Sequence, residues 1–152
     1  MTLANGRSRG FSLLEVLIAL LIFSFGLMGL AALQSFSVKN NQSSSFRSQA
    51  TVLAYQIIDS MRANKVAVVT GYYLVPDYAE TTCETDDPTG ATVAATDIAV
   101  WRNNLACALP GGMGKVEFPA ANQVIVSITW TDARWAMNAD DRDTEFQLVT
   151  TL

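Results

Sequence analysis

The sequence contains no histidine. That absence removes the usual general base of nucleophilic catalysis and the commonest nitrogen ligand of zinc. Cysteine is scarce as well, with only Cys83 and Cys107, and a catalytic cysteine without a histidine partner lacks its activator. No glycine-rich phosphate loop is present to cradle a nucleotide. Positive charge is in deficit: 10 Lys plus Arg against 14 Asp plus Glu give a net −4. Without Arg7 and Arg9 in the first ten residues the balance falls to −6. Nucleic acid is therefore not an expected partner, because phosphate backbones are bound by basic faces. Together these absences predict a protein that is not an enzyme and carries no cofactor or metal.

What the chain has instead is apolar residues, 50% of the total against 16% charged, concentrated before Gln34. Residues 1–10, MTLANGRSRG, are polar, carry two arginines and no acid, and read as a leader held in the cytoplasm by its positive charge. The run from Phe11 to Leu33, FSLLEVLIALLIFSFGLMGLAAL, would form a helix about 35 Å long, enough to cross a bilayer. An ordinary secretory signal has its cleavage site after the apolar region. Here the plausible site, Gly10, lies before it, so cutting there leaves the helix on the mature chain. Glu15 is the anomaly, since an ionisable group inside an apolar span costs several kcal/mol unless paired or near the interface.

Gly10, Phe11, the leucine-rich start and Glu15 as fifth residue after the cut resemble the type IV pilin superfamily, which includes major and minor pilins and the pseudopilins of type II secretion. The resemblance implies a membrane peptidase that cuts after Gly10 and methylates the new amine on Phe11. It also implies that the Glu15 carboxylate meets the N-terminal ammonium of a neighbouring subunit as helices bundle. Such a pair neutralises itself at low dielectric, while a wrong axial register leaves both charges unpaired, so Glu15 would set register. The competing account is a single-pass anchor whose Glu15 reaches to the interface. Gly26 and Gly29, followed by Ala31 and Ala32, form a small-residue patch that permits close helix approach. Many pilins carry a proline in this helix; none occurs here before Pro76, a departure from the major pilins.

From Gln34 the chain turns polar yet keeps helical spacing at Phe46, Ala50, Leu53, Ile57 and Met61. This predicts one helix from Phe11 to about Asn64, its first half (11–33) in lipid or a filament core and its amphipathic continuation (34–65) cradled by a globular head (66–152). Residues 66–96 hold Gly71, Pro76, Pro88 and Gly90 and read as a loop with one short strand around Tyr72–Val75. A second helix is expected from Asp97 as N-cap, with Ile98, Trp101, Leu105 and Leu109 on its apolar face and Pro110-Gly111-Gly112 ending it. Strand signals follow at 114–118, at 124–130 with Val124, Val126, Ile128 and Trp130 alternating, and at 145–151. The fold expected is α+β, a long helix on a small antiparallel sheet. Outside the cytoplasm Cys83 and Cys107 can close a disulfide worth roughly 3–4 kcal/mol; the alternative is two buried thiols. The acids from Asn138 to Glu145 read as a solvated hairpin loop, with calcium the rarer alternative. Trp130 continues the inward alternation, whereas an exposed patch with Trp135 is the other reading.

Further motifs resemble one branch of the superfamily, the PilV-type minor pilins or type IV pilus modification proteins. These are Gly26-Leu-Met-Gly29-Leu-Ala-Ala-Leu-Gln34, Asp59-Ser-Met-Arg62-Ala-Asn64, Trp101-Arg102, Leu109-Pro110-Gly111-Gly112-Met-Gly114 and Trp130-Thr-Asp132. The resemblance implies a low-abundance subunit that initiates or modifies pilus assembly, with consequences for adhesion and motility. Its partners would be other minor pilins and the major pilin through their N-terminal helices, the prepilin peptidase and the inner-membrane assembly platform. The head would lie in the periplasm and later in the pilus at the cell surface. The nearest rival is a minor pseudopilin of type II secretion; a membrane-tethered periplasmic binding protein is the rival of another class.

Overall fold

The computed structural model describes residues 10–86, 88–120, 122–132 and 143–152. Its elements are α1 (Leu13–Ala63), α2 (Lys65–Val69), α3 (Val93–Ala108), β1 (Met113–Ala120), β2 (Gln123–Thr131) and β3 (Asp143–Thr151). The chain divides into two compact units, Met1–Asn41 and Gln42–Leu152. The second half of α1 thus groups with the head rather than with the apolar segment.

In the first unit every described residue is exposed. Its helix is apolar on all sides, with a window of mean hydropathy 2.6 and none of that window buried. In water such a surface has nothing to hide against; lipid or other apolar helices are the environments that suit it.

The head is built around the amphipathic half of α1. Ala50, Leu53, Ala54, Ile57, Ile58 and Met61 are buried on one face, in one cluster with Trp101 and Leu105 of α3 and Val116, Val124, Val126, Ile128 and Trp130 of the sheet. The strands form an antiparallel sheet in the order β1-β2-β3. The Val124 to Trp130 alternation faces inward, each residue at most 1% exposed, which makes Trp130 core; Trp135 lies outside the described residues. Together the long helix and the sheet are the expected α+β, pilin-like arrangement.

The Ser43 hydroxyl donates to Asp132 at 2.6 Å, while Lys65 and Val68 share a cavity wall with Asn122 and Leu152. Strand β2 therefore runs antiparallel to the second half of α1, and β3 runs with it.

Three boundaries differ from the sequence expectation. Helix α3 starts four residues before Asp97, capped by the Thr92 hydroxyl, which accepts from the Ala95 amide at 3.1 Å. Ala94 and Ala95 are strong helix formers that extend the helix upstream, and Asp97 is instead engaged by the Tyr73 hydroxyl. Residues 65–69 form the short helix α2, too brief and β-branched to register as periodic. The strand expected around Tyr72–Val75 shrinks to a single bridge between Val75 and Val116, because Gly71 at φ 79° turns the chain just before it.

The Leu-Pro-Gly-Gly-Met-Gly segment has a steric explanation. Gly111 sits at φ 63°, where side chains are strained. A Cβ on Gly112 would lie 2.3 Å from the Leu105 carbonyl oxygen, and one on Gly114 would lie 2.4 Å from the Trp101 ring. The indole is fixed from its other side, its Nε1 donating to the Leu53 carbonyl at 2.9 Å. The motif thus lets β1 pass directly under Trp101, joining helix α1, helix α3 and the sheet.

Cys83 and Cys107 are joined in a disulfide with Cα atoms 4.8 Å apart. One turn earlier on α3, Asn103 clamps the same loop, accepting from the Glu84 amide at 2.8 Å and donating to the Glu84 carbonyl at 3.1 Å. The double Cys83→Ser/Cys107→Ser variant should lose roughly 3–4 kcal/mol from the closed loop. In a domain of this size that is a fall in Tm of about 12–30 °C, measurable by thermal unfolding followed by circular dichroism. A fall of only a degree or two would mean that the Asn103 clamp alone orders the loop.

Candidate functional site

The N-terminal end of α1 is where the chemistry implied by the sequence converges. Gly10, Phe11 and Ser12 precede the helix, which begins at Leu13. Ser12 caps it: its hydroxyl accepts from the Glu15 amide at 3.2 Å, and its carbonyl accepts from the amides of Glu15 at 3.1 Å and Val16 at 3.3 Å. Ser12-Leu-Leu-Glu15 thus has the spacing of a capping box, with the acid in the first turn where the helix dipole favours negative charge. This is a site residue the sequence reading passed over, although Ser-x-x-Glu before an apolar run was a visible signal.

Phe11 is 85% exposed, and Glu15 is exposed one turn further on. Phe11, Glu15, Ala19 and Phe23 line one shallow groove along the helix, in which Glu15 is the charged member. Gly26 and Gly29 have open space around them: among the described residues, apart from the helix's own neighbouring backbone, nothing lies within 4 Å of where a Cβ would stand. Their smallness therefore serves no contact with other described residues of this chain.

The head holds polar groups in use as ties. The Tyr73 hydroxyl reaches Asp97 and also lies 3.4 Å from the Ser60 carbonyl, binding the loop after α2 to both long helices. On the outer sheet face the Tyr78 hydroxyl donates to Glu145 at 2.8 Å, Gln147 donates to Glu145 at 2.9 Å, and Lys115 pairs with Glu117 at 3.0 Å. Hydrogen bonds from Gln147 and Tyr78 hold the Glu145 carboxyl below its ordinary range. Asp143 accepts from the Thr131 hydroxyl at 2.9 Å. Both acids are thus engaged in sheet contacts. Among the described residues no group of three potential metal ligands comes together; residues 138–142 of the proposed acidic loop lie outside them.

Residues 5–31 match the prokaryotic N-terminal methylation motif. The match spans Gly10, Phe11, Glu15, Gly26 and Gly29 and makes this N-terminus a type IV pilin-like signal, of the kind carried by pilins and pseudopilins. Such a motif implies processing by a prepilin peptidase and assembly with pilin-like partners, and with the exposed apolar helix it is consistent with membrane anchoring. Searches of the curated proteins and of the solved structures returned no match.

The Tyr73 tie gives the head an alkaline limit. Burial first, and then the hydrogen bond to Asp97, push the Tyr73 hydroxyl up to about 12 from 10.0. An acid whose folded value is raised contributes stability that is fully present below pH 10 and is lost as pH rises towards 12. The head is expected to lose on the order of 2 kcal/mol across that window, and Tyr73→Phe should flatten this loss. A wild-type pH profile as flat as the variant's would show that the phenol is not the group responsible.

Proposed function

We propose that this chain is a minor pilin of a type IV pilus, of the PilV type, that initiates or modifies pilus assembly close to the filament tip. In this reading residues 1–10 are the prepilin leader, 11–33 the transmembrane and filament-core helix, 34–65 its amphipathic continuation and 66–152 the periplasmic head. The peptidase cuts between Gly10 and Phe11 and methylates the Phe11 amine. The protein catalyses no reaction itself. Its partners are other minor pilins and the major pilin through the N-terminal helices, together with the inner-membrane assembly platform. Adhesion and twitching motility then follow from the pili it helps to form.

The observation that carries this reading is the methylation motif set on the capped, exposed apolar half of α1. In the precursor the Phe11 nitrogen is an amide and carries no charge. Cleavage turns it into an ammonium one helical turn from Glu15, so the same cut that releases the leader creates the cation for which the carboxylate waits. In lipid neither charge is comfortable alone, and bundling with a neighbour satisfies both. The contacts beneath Trp101 supply a physical use for Trp101 and for the Leu-Pro-Gly-Gly segment, two of the motifs that support the narrower PilV-type reading.

The same N-terminus would serve a minor pseudopilin of type II secretion, so the decisive experiment scores both machines. Deletion of the gene is expected to abolish or sharply reduce surface pili, counted by electron microscopy, with secretion of type II substrates intact. Intact pili with lost secretion would transfer the protein to the pseudopilins.

A further inference from the structure

The loop that leads into α3 is laid back along that helix and held there by its main chain. Near its start Asn103 Oδ1 accepts from the Glu84 amide at 2.8 Å, and Asn103 Nδ2 donates to the Glu84 carbonyl at 3.1 Å. Near its end the Thr96 hydroxyl accepts from the Gly90 amide at 3.0 Å and donates to the Gly90 carbonyl at 3.4 Å. Thr96, Asn103 and Cys107 stand two turns and then one turn apart on α3, so they share one face. Their partners in the loop, Gly90, Glu84 and Cys83, come in the reverse order, so the loop runs against the helix. Gly90 permits the close approach, since a Cβ there would lie 2.6 Å from Ala95.

Asn103 connects this arrangement to the sulfurs. It is 5% exposed, and the Oδ1 that takes the Glu84 amide also lies 3.8 Å from Cys107 Sγ. Glu84 is the residue next to Cys83. Pairing both of its backbone groups with Asn103 therefore fixes the chain one residue from the sulfur that must reach Cys107. Cys83 and Cys107 are themselves exposed, so an oxidant meets them without opening the core. The hydrogen bonds to Glu84 use neither sulfur, and they form equally well with two thiols.

We propose that Asn103 is a positioning residue for the Cys83–Cys107 bond: it docks the reduced loop on α3 and sets the two thiols at closing distance before they are joined. Closure needs an oxidant that itself carries a disulfide. One cysteine thiolate attacks a sulfur of that disulfide, forming a mixed disulfide and expelling one thiolate of the oxidant. The second cysteine thiolate attacks the protein sulfur of the mixed disulfide and expels the other. The protein gives up two electrons and two protons, and the oxidant leaves as two thiols. The second step is intramolecular, so its driving force grows with the effective concentration of one thiol at the other. In an unfolded chain the cysteines are 24 positions apart and meet only by random loop closure. In the folded head the Glu84 clamp removes that search. The proposal is independent of the kind of filament and requires only a thiol-oxidising compartment.

The test equilibrates the full-length protein in detergent with reduced and oxidised glutathione. Alkylation and mass spectrometry then give the effective concentration of the cysteine pair. Asn103→Ala is expected to lower it about tenfold under native conditions, as the loss of two ordinary hydrogen bonds would. In concentrated urea, where no clamp exists, the variant and the wild type should agree. Glu84→Ala keeps both backbone groups and should leave the native value unchanged. Ser43→Ala, which removes a tie elsewhere in the head, should also leave it unchanged, whatever it does to the Tm. Thr96→Val loosens only the Gly90 end and should lower the value about threefold; it decides the matter if Asn103→Ala does not fold. A native Asn103→Ala value equal to the wild type's would overturn the proposal. So would an equal fall in urea, or a fall of the same size in Glu84→Ala or Ser43→Ala. With Asn103→Ala unfolded, an unchanged Thr96→Val value would overturn it too.

Discussion

A chain with Gly10 replaced by valine is expected to accumulate wholly as the uncleaved form, visible by mass spectrometry as a species retaining the ten leader residues and lacking the methyl group. Gly10 is exposed, and among the described residues other than its chain neighbours nothing lies within 4 Å of where a Cβ would stand. Among the described residues, therefore, no packing contact requires glycine there. The requirement must come from outside, from a peptidase that has to approach the scissile backbone closely, for which a residue without a side chain is suited. Because the position lies before the Ser12 cap, the substitution leaves helix α1 and the head untouched, so an effect on processing cannot be attributed to misfolding. A Gly10→Val chain that still matures would show that the cut lies elsewhere and would detach Phe11 and Glu15 from their proposed roles.

Much of this site was legible because its signals are local. The apolar run, the position of Gly10 before it and a lone acid five residues after the cut are properties of consecutive residues, and one helix preserves that order in space. The buried stripe Ala50, Leu53, Ile57 and Met61 was legible for the same reason, since 3.6-residue periodicity survives any tertiary context. Partnerships across distant segments were not. Asp97 has the chemistry of an N-cap, and only the arrival of Tyr73 from another segment shows why it sits inside a helix instead. Gly112 looks like a turn residue and Gly114 like the first residue of a strand; their actual constraint is the backbone of Leu105 and the ring of Trp101. Ser12 is the exception, a local signal in Ser-x-x-Glu before an apolar run, overshadowed by the acid three residues after it.

That cap makes Glu15→Ala a cleaner experiment than it would otherwise be. The hydrogen bonds to Ser12 come from the backbone amide of residue 15, which alanine retains. Alanine is also the best helix former and removes an ionisable group from an apolar span. The helix start should be kept, at a cost of at most about 1 kcal/mol for the lost interaction with the helix dipole, and membrane insertion should be preserved or improved. If the carboxylate merely reached to the interface, the variant would assemble as well as the wild type. If it pairs with the Phe11 ammonium of a neighbour, its removal strands a cation in a low-dielectric bundle. Breaking such a pair costs about 3–5 kcal/mol, which is roughly two to three and a half orders of magnitude in association. The expected outcome is therefore normal cleavage after Gly10 and normal membrane levels, with incorporation into the assembly complex, measured by co-purification, reduced at least a hundredfold. Glu15→Gln should behave like alanine, because it keeps size and hydrogen bonding but not charge, while Glu15→Asp should recover part of the loss. Wild-type incorporation of the Gln variant would mean that shape, and not the ion pair, fixes the register of the helix.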